Sequence, residues 1–290
     1  LDSCTTNDWN LWRTRIRESH GTGIQFVTNS NEQCAAHAAV GYSKSSNMTG
    51  VAILTSGPGV TNSITALQDA KTDGVPCVMI SGQAKRSAIG TDAFQECDAI
   101  EITKSCTKWN YFLDNPCDAA EVFDEAFNIA ESGRGGPVHI DIPSDVLVEL
   151  VAHNPPGVRS VFNKNDVSSF IESHHPSNNA ANIKQIAKKI NNAKRPVIIA
   201  GRGVVLSGAH QELRNMAVRG GIPVTTTLHG LGCMDENDEL SLEMLGMHGA
   251  YAANMAVQNA DVIIAIGSRF DDRTTGVLDK YAPYARDGGI

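Results

Sequence analysis

The first residue with a type and position suited to chemistry is Glu32. It opens a predicted helix, directly after Ser30 and Asn31, which are good helix-capping residues. A carboxylate in this place either favours the helix dipole or exchanges a proton with a ligand nitrogen. The spacing alone favours the structural role, because an acid in the first helical turn needs no further reason.

The second group is the turn formed by Gly57, Pro58 and Gly59. It follows a predicted strand and opens a helix that carries Asn62. Small residues let a ligand approach the backbone, and a helix N-terminus offers free N–H donors. A plain strand-to-helix turn is the alternative, and on spacing alone that alternative is favoured.

The third group lies in the second half of the chain. Residues 267–273 directly follow a predicted strand and carry Arg269, Asp271 and Arg273, and residues 245–249 stand at the opposite end of the same βα arrangement. Ligands of open α/β sheets bind at the carboxyl ends of strands, and arginines suit phosphates. A solvated loop with internal ion pairs is the alternative. The turn at 201–203 is only a partial glycine motif.

These residues need elements that position them, and the hydrophobic pattern predicts two α/β domains. Short β-branched runs bounded by breakers predict buried parallel strands, and they alternate with amphipathic helical patterns. In the first half the pattern predicts strands over 24–28, 51–55, 76–81 and 138–142, and helices over 32–43, 60–70 and 119–131. In the second half it predicts strands over 196–200, 224–226 and 262–266, and helices over 183–190, 211–218 and 251–257.

Repeated βα units predict a parallel sheet with helices on both faces in each domain. We expect a first domain over 1–150, a Pro- and Asn-rich linker over 151–182 and a second domain over 183–290. No helix or cap closes the sequence at its last residues, and it begins at Leu1. We therefore expect a segment of a longer protein.

Composition narrows the classes of function. The 290 residues carry 24 Lys and Arg against 32 Asp and Glu, a net charge of −8, which argues against nucleic-acid binding. No apolar stretch of about 18 residues predicts a membrane span. Seven irregularly spaced cysteines indicate free thiols in a reducing, intracellular compartment. Residues 92–96, Lys104, Lys108 and Trp109 are interpreted as surface and packing residues unless a site lies beside them.

Together, several segments resemble one family. NEQ at 31–33, TSGPGVTN at 55–62, GQ at 82–83, IGTDAFQE at 89–96, SCTKWN at 105–110 and SGRGGP at 132–137 occur in order, followed by Met247 and by 269–273. This string is similar to the catalytic subunit of acetohydroxyacid synthase (acetolactate synthase), a thiamin-diphosphate enzyme. The resemblance runs from about residue 24 to the end and is closest to fungal-type members.

The resemblance implies the fold and the site. It implies a pyrimidine-binding type thiamin-diphosphate domain, with its first strand-loop unit missing, and then a Rossmann-like central FAD domain that is truncated. Glu32 resembles the carboxylate that hydrogen-bonds the cofactor's pyrimidine ring. The residues that resemble the cofactor and substrate pocket are Gly57, Pro58, Asn62, Phe94 and Gln95. The residues that resemble FAD contacts are Arg134, Gly201, Arg202, Gly203, Thr227, Leu228, Met247, His248, Gly267, Arg269, Asp271 and Arg273.

The implied activity is decarboxylation of pyruvate on thiamin diphosphate and condensation with a second 2-ketoacid, the first common step of branched-chain amino acid biosynthesis. The cofactors are thiamin diphosphate, FAD and Mg²⁺, with the Mg²⁺ ligands in a C-terminal domain that this sequence lacks. The 290 residues alone are therefore expected to be inactive. Implied partners are a second copy, with active sites between subunits, and a regulatory small subunit. A fungal-type protein would be mitochondrial, and otherwise cytoplasmic.

Two alternatives stay open. One is another thiamin-diphosphate decarboxylase or carboligase, and the other is a non-catalytic module that binds a nucleotide or a partner. Three positions depart from the family. Asn31 replaces the usual His, Lys85 replaces the common Pro, and Ser144 replaces the usual Lys. The last two line the substrate channel in relatives, so the shape of the channel is expected to differ here.

Overall fold

The computed structural model describes residues 27–151, 180–286 and 288–290. The chain divides into two compact units, Leu1–Ser177 and Asn178–Ile290. Over the described ranges, no helix has the length and the apolar character that a bilayer crossing requires.

The first unit holds a four-stranded sheet in which every pairing is parallel. The strands are paired in the order β1-β2-β4-β3. The elements are α1 (Glu32–Ser46), β1 (Gly50–Leu54), α2 (Pro58–Asp73), β2 (Cys77–Gln83), α3 (Ala99–Lys104), β3 (Trp109–Phe112), α4 (Ala119–Glu131) and β4 (Pro137–Pro143), with short 3₁₀ turns between some of them.

Apolar packing covers both faces of this sheet. Strands β2 and β4 are buried at every position. Val78 and Val138 face α4, where Val122 is fully buried, while Met79 packs on the other face with Leu67 of α2. Because parallel strands share one direction, the carboxyl ends of β1, β2 and β4 lie at one edge of the sheet.

The second unit holds another all-parallel sheet of four strands, in the order β7-β6-β5-β8. Its elements are α5 (Ala180–Asn192), β5 (Pro196–Ala200), α6 (Arg202–Ser207), α7 (His210–Gly220), β6 (Val224–Thr226), β7 (Ser241–Met244), α8 (Tyr251–Asn259), β8 (Val262–Ile266) and α9 (Asp272–Thr275). Ile198 faces the cluster around Leu213, and Ile199 faces the cluster around Val257.

The predicted α/β class, the parallel sheets and most elements are confirmed. The strand predicted over 24–28 is wrong where it can be seen, because Val27 and Thr28 are not in a strand, and its first three residues lie outside the described ranges. Helices α1 and α2 extend past their predicted ends at 43 and 70. Strands β3 and β7 were not predicted, since each has four residues and lacks a strong apolar run.

Candidate functional sites at the carboxyl edges of the two sheets

Glu32 stands at the start of α1 and is held from α2. The helix cap is Asn31, whose side-chain oxygen accepts the backbone N–H of Gln33 at 2.8 Å. Asn62 Nδ2 donates to Glu32 Oε2 at 3.1 Å, and the Glu32 side chain is half-buried. The acid therefore favours the helix dipole and is also oriented by a second helix, so the two roles considered from the sequence coexist.

The glycine turn brings a distant loop against the start of α2. Gly57 has φ +55°, a conformation that favours glycine, and α2 begins at Pro58. A Cβ at Gly57 would lie 2.7 Å from the carbonyl oxygen of Gln95. The buried Ser56 hydroxyl lies 3.5 Å from Gln95 Oε1. The structure thus brings Glu32, Asn62, Gly57 and Gln95 to one edge of the first sheet.

The loop that carries Gln95 is folded on Glu96. The Glu96 carboxylate accepts the backbone N–H groups of Gly90, at 2.5 Å, and Ala93, at 2.9 Å. These bonds, that from Gly90 first, lower the pKa of Glu96. Phe94 is 81% exposed on the same loop, so its ring is presented to solvent. The polar segment 92–96 is therefore a built loop at the predicted site.

A buried polar chain behind this loop was not predicted. The Ser81 hydroxyl donates to Asp141 Oδ1 at 2.5 Å and lies 2.8 Å from His139 Nε2. His139 Nδ1 lies 3.0 Å from Thr103 Oγ1, and Gln83 Nε2 donates to Asp141 Oδ2 at 3.0 Å. Burial raises the pKa of Asp141 to about 6, although its hydrogen bonds lower it, and burial lowers the pKa of His139 to about 4.

The sequence of strand β4 contained the signal for this buried network of polar side chains. Its sequence PVHIDIP places His139 and Asp141 at alternate positions of a strand whose every residue is buried. Side chains two residues apart in a strand point to the same face. Two titratable groups on one face of a buried strand therefore indicate a polar partner on the neighbouring strand, and Ser81 of β2 is that partner.

Lys108 is not a simple surface residue. It is half-buried and its ammonium donates to the Ser132 carbonyl at 2.7 Å and to the Ile129 carbonyl, at the end of α4. A Cβ at Gly136 would lie 2.8 Å from Lys108 Cδ, so this glycine leaves room for the lysine stem.

Arg134 lies apart from the other predicted residues of its unit. Its guanidinium donates to the carbonyl of Thr72, in the last turn of α2. That turn precedes β2, so Arg134 is at the amino edge of the sheet, opposite the edge that holds Glu32. Its assignment as a flavin contact stays a prediction.

In the second unit, three predicted glycines pack backbone to backbone at the carboxyl edge. The N–H of Gly203 donates to the carbonyl of Gly267 at 2.9 Å, and the N–H of Gly201 donates to that of Ile266 at 2.9 Å. A Cβ at Gly203 would lie 2.5 Å from Gly267 Cα, and one at Gly201 would lie 2.4 Å from the Gly267 oxygen. These glycines let the turns after β5 and β8 approach each other.

The segments around 245–249 and 267–273 meet at this same edge. Met247 N–H donates to the Arg273 carbonyl at 2.9 Å, and an Arg273 guanidinium nitrogen lies 3.6 Å from Met247 Sδ. They are at opposite ends of a βα arrangement in sequence, but both follow parallel strands and therefore share the carboxyl edge. The structure thus joins two of the predicted groups.

The Asp271 carboxylate is bound inside its own loop. It caps α9 by accepting the N–H of Thr274 at 3.0 Å, and Arg269 Nε lies 3.4 Å away. Burial acts to raise the pKa of Asp271, but the Thr274 bonds and the Arg269 charge outweigh it and lower that pKa. Asp271 therefore acts as a structural anchor that keeps Arg269 beside the edge.

The remaining predicted residues of this unit surround the edge. Thr227 N–H donates to the Ala200 carbonyl at 3.0 Å, directly after β6. Leu228 is 65% and Met247 is 60% exposed. His248 is exposed and Arg202 is half-buried. Exposed apolar side chains at an edge that also carries Arg269 and Arg273, with Arg273 in contact with Met247, suit a ligand that has flat rings and phosphates.

Among the residues that the structure describes, no group of three or more His, Cys, Asp or Glu side chains is arranged to hold a metal ion. The residues at the first edge suit a ring-nitrogen ligand. A carboxylate and an amide converge there, and a Cβ at Gly59 would lie 3.6 Å from Glu32 Cγ.

Comparison with known proteins agrees with this architecture. Residues 11–102 match a family model described as "Thiamine pyrophosphate enzyme, N-terminal TPP binding domain". Residues 183–288 match one described as "Thiamine pyrophosphate enzyme, central domain". The two matches cover more than half of the chain, each on one of the two sheets. The chain belongs to the thiamine pyrophosphate enzyme family.

Within this family the chain is similar to acetolactate synthases. It is 46% identical over 264 residues to the mitochondrial acetolactate synthase catalytic subunit of Saccharomyces cerevisiae, covering 91% of this chain and 38% of the relative. It is 47% identical over 264 residues to the mitochondrial acetolactate synthase of Schizosaccharomyces pombe, covering 91% and 40%. The acetolactate synthase large subunit of Corynebacterium glutamicum is 46% identical over 266 residues, covering 91% and 41%. The chain thus spans about two-fifths of the length of these relatives.

Proposed function

We propose that this chain forms the pyrimidine-binding and flavin-binding domains of an acetolactate synthase. The reaction joins a two-carbon unit from pyruvate to a second 2-ketoacid. The observation that carries the proposal is the Glu32–Asn62 pair beside Gly57 and Gln95, at the carboxyl edge of the first sheet. The similarity to named acetolactate synthases from fungi and bacteria supports the choice within the family.

Glu32 has the central role in this proposal. Asn62 engages one carboxylate oxygen, and the other is assigned to a ring nitrogen of thiamin diphosphate, where Glu32 holds and returns a proton. When bound, thiamin diphosphate supplies the carbon nucleophile needed to decarboxylate a 2-ketoacid. Gly57 and Pro58 let the ring approach the backbone closely, and Gln95 contributes a polar side chain.

The second edge is assigned to FAD. Arg269 and Arg273 suit its diphosphate, and the exposed Leu228 and Met247 suit its flat rings. Mg²⁺ is assigned to residues outside this sequence, since a diphosphate-bound Mg²⁺ needs carboxylate or amide oxygens at fixed geometry.

The wider setting follows from the same proposal. The active protein would be a homodimer or a larger assembly with active sites between subunits. Several relatives are named as a catalytic or a large subunit, which supports a regulatory small subunit as a further partner. A fungal-type protein would act in mitochondria, and a bacterial-type one in the cytoplasm.

A domain-replacement enzyme tests the function. The 264 matched residues of the Saccharomyces cerevisiae relative are replaced by those of this chain, and acetolactate formation from pyruvate is measured with thiamin diphosphate, Mg²⁺ and FAD. We expect turnover from the chimera and none from the 290-residue chain alone.

Glu32→Gln in the chimera should lower the rate by about 10²–10⁴-fold, the usual effect of one acid–base group, with flavin content unchanged. Asp69→Asn, an exposed change on α2, is the matched control. Normal turnover of Glu32→Gln would leave Glu32 with its helix role only. A chimera that makes acetaldehyde and holds no flavin would indicate a simple decarboxylase instead.

A further inference from the structure

Gln95 is a strained residue of the first site, and two neighbours hold it. Gln95 has φ +57°, a left-handed conformation that residues with a Cβ rarely adopt. Such a conformation persists only where the surroundings impose it. Gly57 supplies one boundary, because only a residue without a Cβ can lie against the Gln95 carbonyl at this point.

The second boundary comes from the sheet and reaches the loop through Cys97. Gln83, the last residue of β2, donates from Nε2 to the Cys97 carbonyl at 2.8 Å. The Cys97 thiol in turn lies 3.9 Å from the Gly57 carbonyl, within reach of a weak S–H donor. The segment 95–97 is thus held between the start of α2 and the end of β2.

Gln83 is itself fixed at every polar atom. Its Oε1 accepts the Ala84 N–H at 2.9 Å, and its Nε2 is shared between the Cys97 carbonyl and Asp141 Oδ2. Only 4% of the Gln83 surface and 1% of the Asp141 surface are exposed. Breaking these bonds would therefore leave buried polar atoms without water to replace the lost partner, which is unfavourable. Asp141 therefore orients the amide that holds the loop.

We propose that Gln83, oriented by Asp141, is a positioning residue that clamps segment 95–97 against Gly57 and so sets the shape of the pocket beside Glu32. The clamp rests on contacts within the first unit, and its bearing on thiamin diphosphate rests on the proposed function. Neither Gln83 nor Asp141 touches the reacting groups in this assignment. They act through Cys97 and Gln95.

The chain contains its own reporter of this clamp. Cys97 is half-buried, and burial raises the pKa of its thiol, so alkylation is slow while the segment is held. Cys77 is fully buried and Cys106 is 98% buried elsewhere in the same unit, so their alkylation measures general opening. Iodoacetamide labelling of the 290-residue chain, read for each cysteine by mass spectrometry, separates local release from unfolding.

Three variants grade the effect. Gln83→Met keeps the length but removes the donor, and we expect Cys97 alkylation to rise roughly five- to tenfold, as for the loss of one hydrogen bond. Asp141→Asn keeps the Gln83–Cys97 bond but disturbs its orientation, so a smaller rise is expected. Thr103→Val alters the far end of the same buried chain, at His139 and Asn110, and is the matched control. It should stay within about twofold of the parent.

The proposal is overturned if Cys97 in Gln83→Met is alkylated at the parent rate, or if the alkylation of Cys77 and Cys106 becomes faster by the same factor as that of Cys97. Should Gln83→Met not fold, Asp141→Asn decides by the same criteria. Labelling is repeated in the domain-replacement enzyme, which supplies the residues assigned to Mg²⁺, and there thiamin diphosphate with Mg²⁺ should protect Cys97 and should protect it less in Gln83→Met. A faster Cys97 in Gln83→Met without any protection by thiamin diphosphate upholds the clamp and removes support from the proposed cofactor site, so the two failures are distinguishable.

Discussion

The two units hold their candidate sites by different means. In the first unit, side chains do the positioning. Gln83 and Asp141 hold the site loop, and Ser81 and His139 extend their buried polar network away from it. In the second unit, glycines do the positioning, because Gly203 and Gly267 have no side chains and let two turns meet through backbone atoms.

This difference teaches what each site is sensitive to. A site held by buried titratable groups depends on pH and on the identity of its polar residues. A site held by backbone contact depends on volume, and a single added methyl group is the relevant perturbation. Four experiments test this comparison.

The largest effect is expected for Gly203→Ala in the second unit. The new Cβ would lie 2.5 Å from Gly267 Cα, so the backbone of one turn must move. Overpacking of this kind costs roughly 3 kcal/mol or more in the free energy of unfolding, at the upper end of the usual range. Thermal unfolding by circular dichroism measures it.

Gly208→Ala is the control for Gly203→Ala, because Gly208 ends the same helix at φ +66° with no atom within 4 Å of its Cβ position. It should cost about 1–2 kcal/mol from conformation alone. Equal losses at the two positions would mean that backbone contact does not hold this edge.

The next effect is a pH dependence in the first unit. Burial raises the pKa of Asp141 from its ordinary value of 3.8 to about 6 in the folded protein. Its contribution to the free energy of unfolding is therefore fully present at low pH and is lost as the pH rises from about 4 to about 6. His139 does the opposite. Its pKa falls from 6.5 to about 4, so its neutral folded form becomes costly as the pH falls. Each of these two pKa shifts corresponds to about 3 kcal/mol of unfolding free energy, and in the parent their opposite pH dependences largely cancel.

Removing either group should expose the other. Asp141→Asn leaves His139, and unfolding free energy should then rise between pH 4 and 6.5. His139→Gln leaves Asp141, and unfolding free energy should fall between pH 4 and 6. Trp109 of β3 packs against the core of the first unit, and the sequence has no tryptophan after it, so tryptophan fluorescence during urea unfolding does not report the second unit. Parallel curves for the two variants would contradict the account of the buried chain.

A smaller effect is expected for Arg273→Ala at the second edge. A guanidinium directed to a phosphate is worth about 1.5–3 kcal/mol, which corresponds to a roughly ten- to hundredfold weaker affinity for FAD in the chimera. Flavin released by heating is measured by absorbance. Arg214→Ala, which removes the ion pair between the exposed Arg214 of α7 and Asp238, is the control and should keep its flavin. Unchanged flavin in Arg273→Ala would remove this arginine from the site.

The smallest effect has the opposite sign and lies in the first unit. Gly41 is exposed in the middle of α1, and no atom lies within 4 Å of its Cβ position. Gly41→Ala should therefore stabilise the unit by about 0.5–1 kcal/mol, since alanine is the better helix former. Urea unfolding by tryptophan fluorescence measures it. A loss of stability would show that volume also limits packing here.

The sequence by itself determined the class and most elements. Period-2 and period-3.6 apolar patterns are local, so the alternation of strands and helices, and with it the parallel sheets, could be predicted. The motif string also pointed to Glu32 and to the glycine turns. The short strands β3 and β7 were not predicted from the sequence, because the stability of a four-residue strand depends more on pairing with its neighbours than on its own apolar pattern.

Tertiary structure decided what connects these residues. Asn62 is 30 positions from Glu32, and Asp141 is 58 positions from Gln83, so their hydrogen bonds exist only once α2 packs on α1 and β4 pairs with β2. The meeting of Met247 with Arg273 depends likewise on two parallel strands ending at one edge. Hydrogen bonds act over about 3 Å, and in a folded chain that distance is set by packing between elements and not by separation along the sequence.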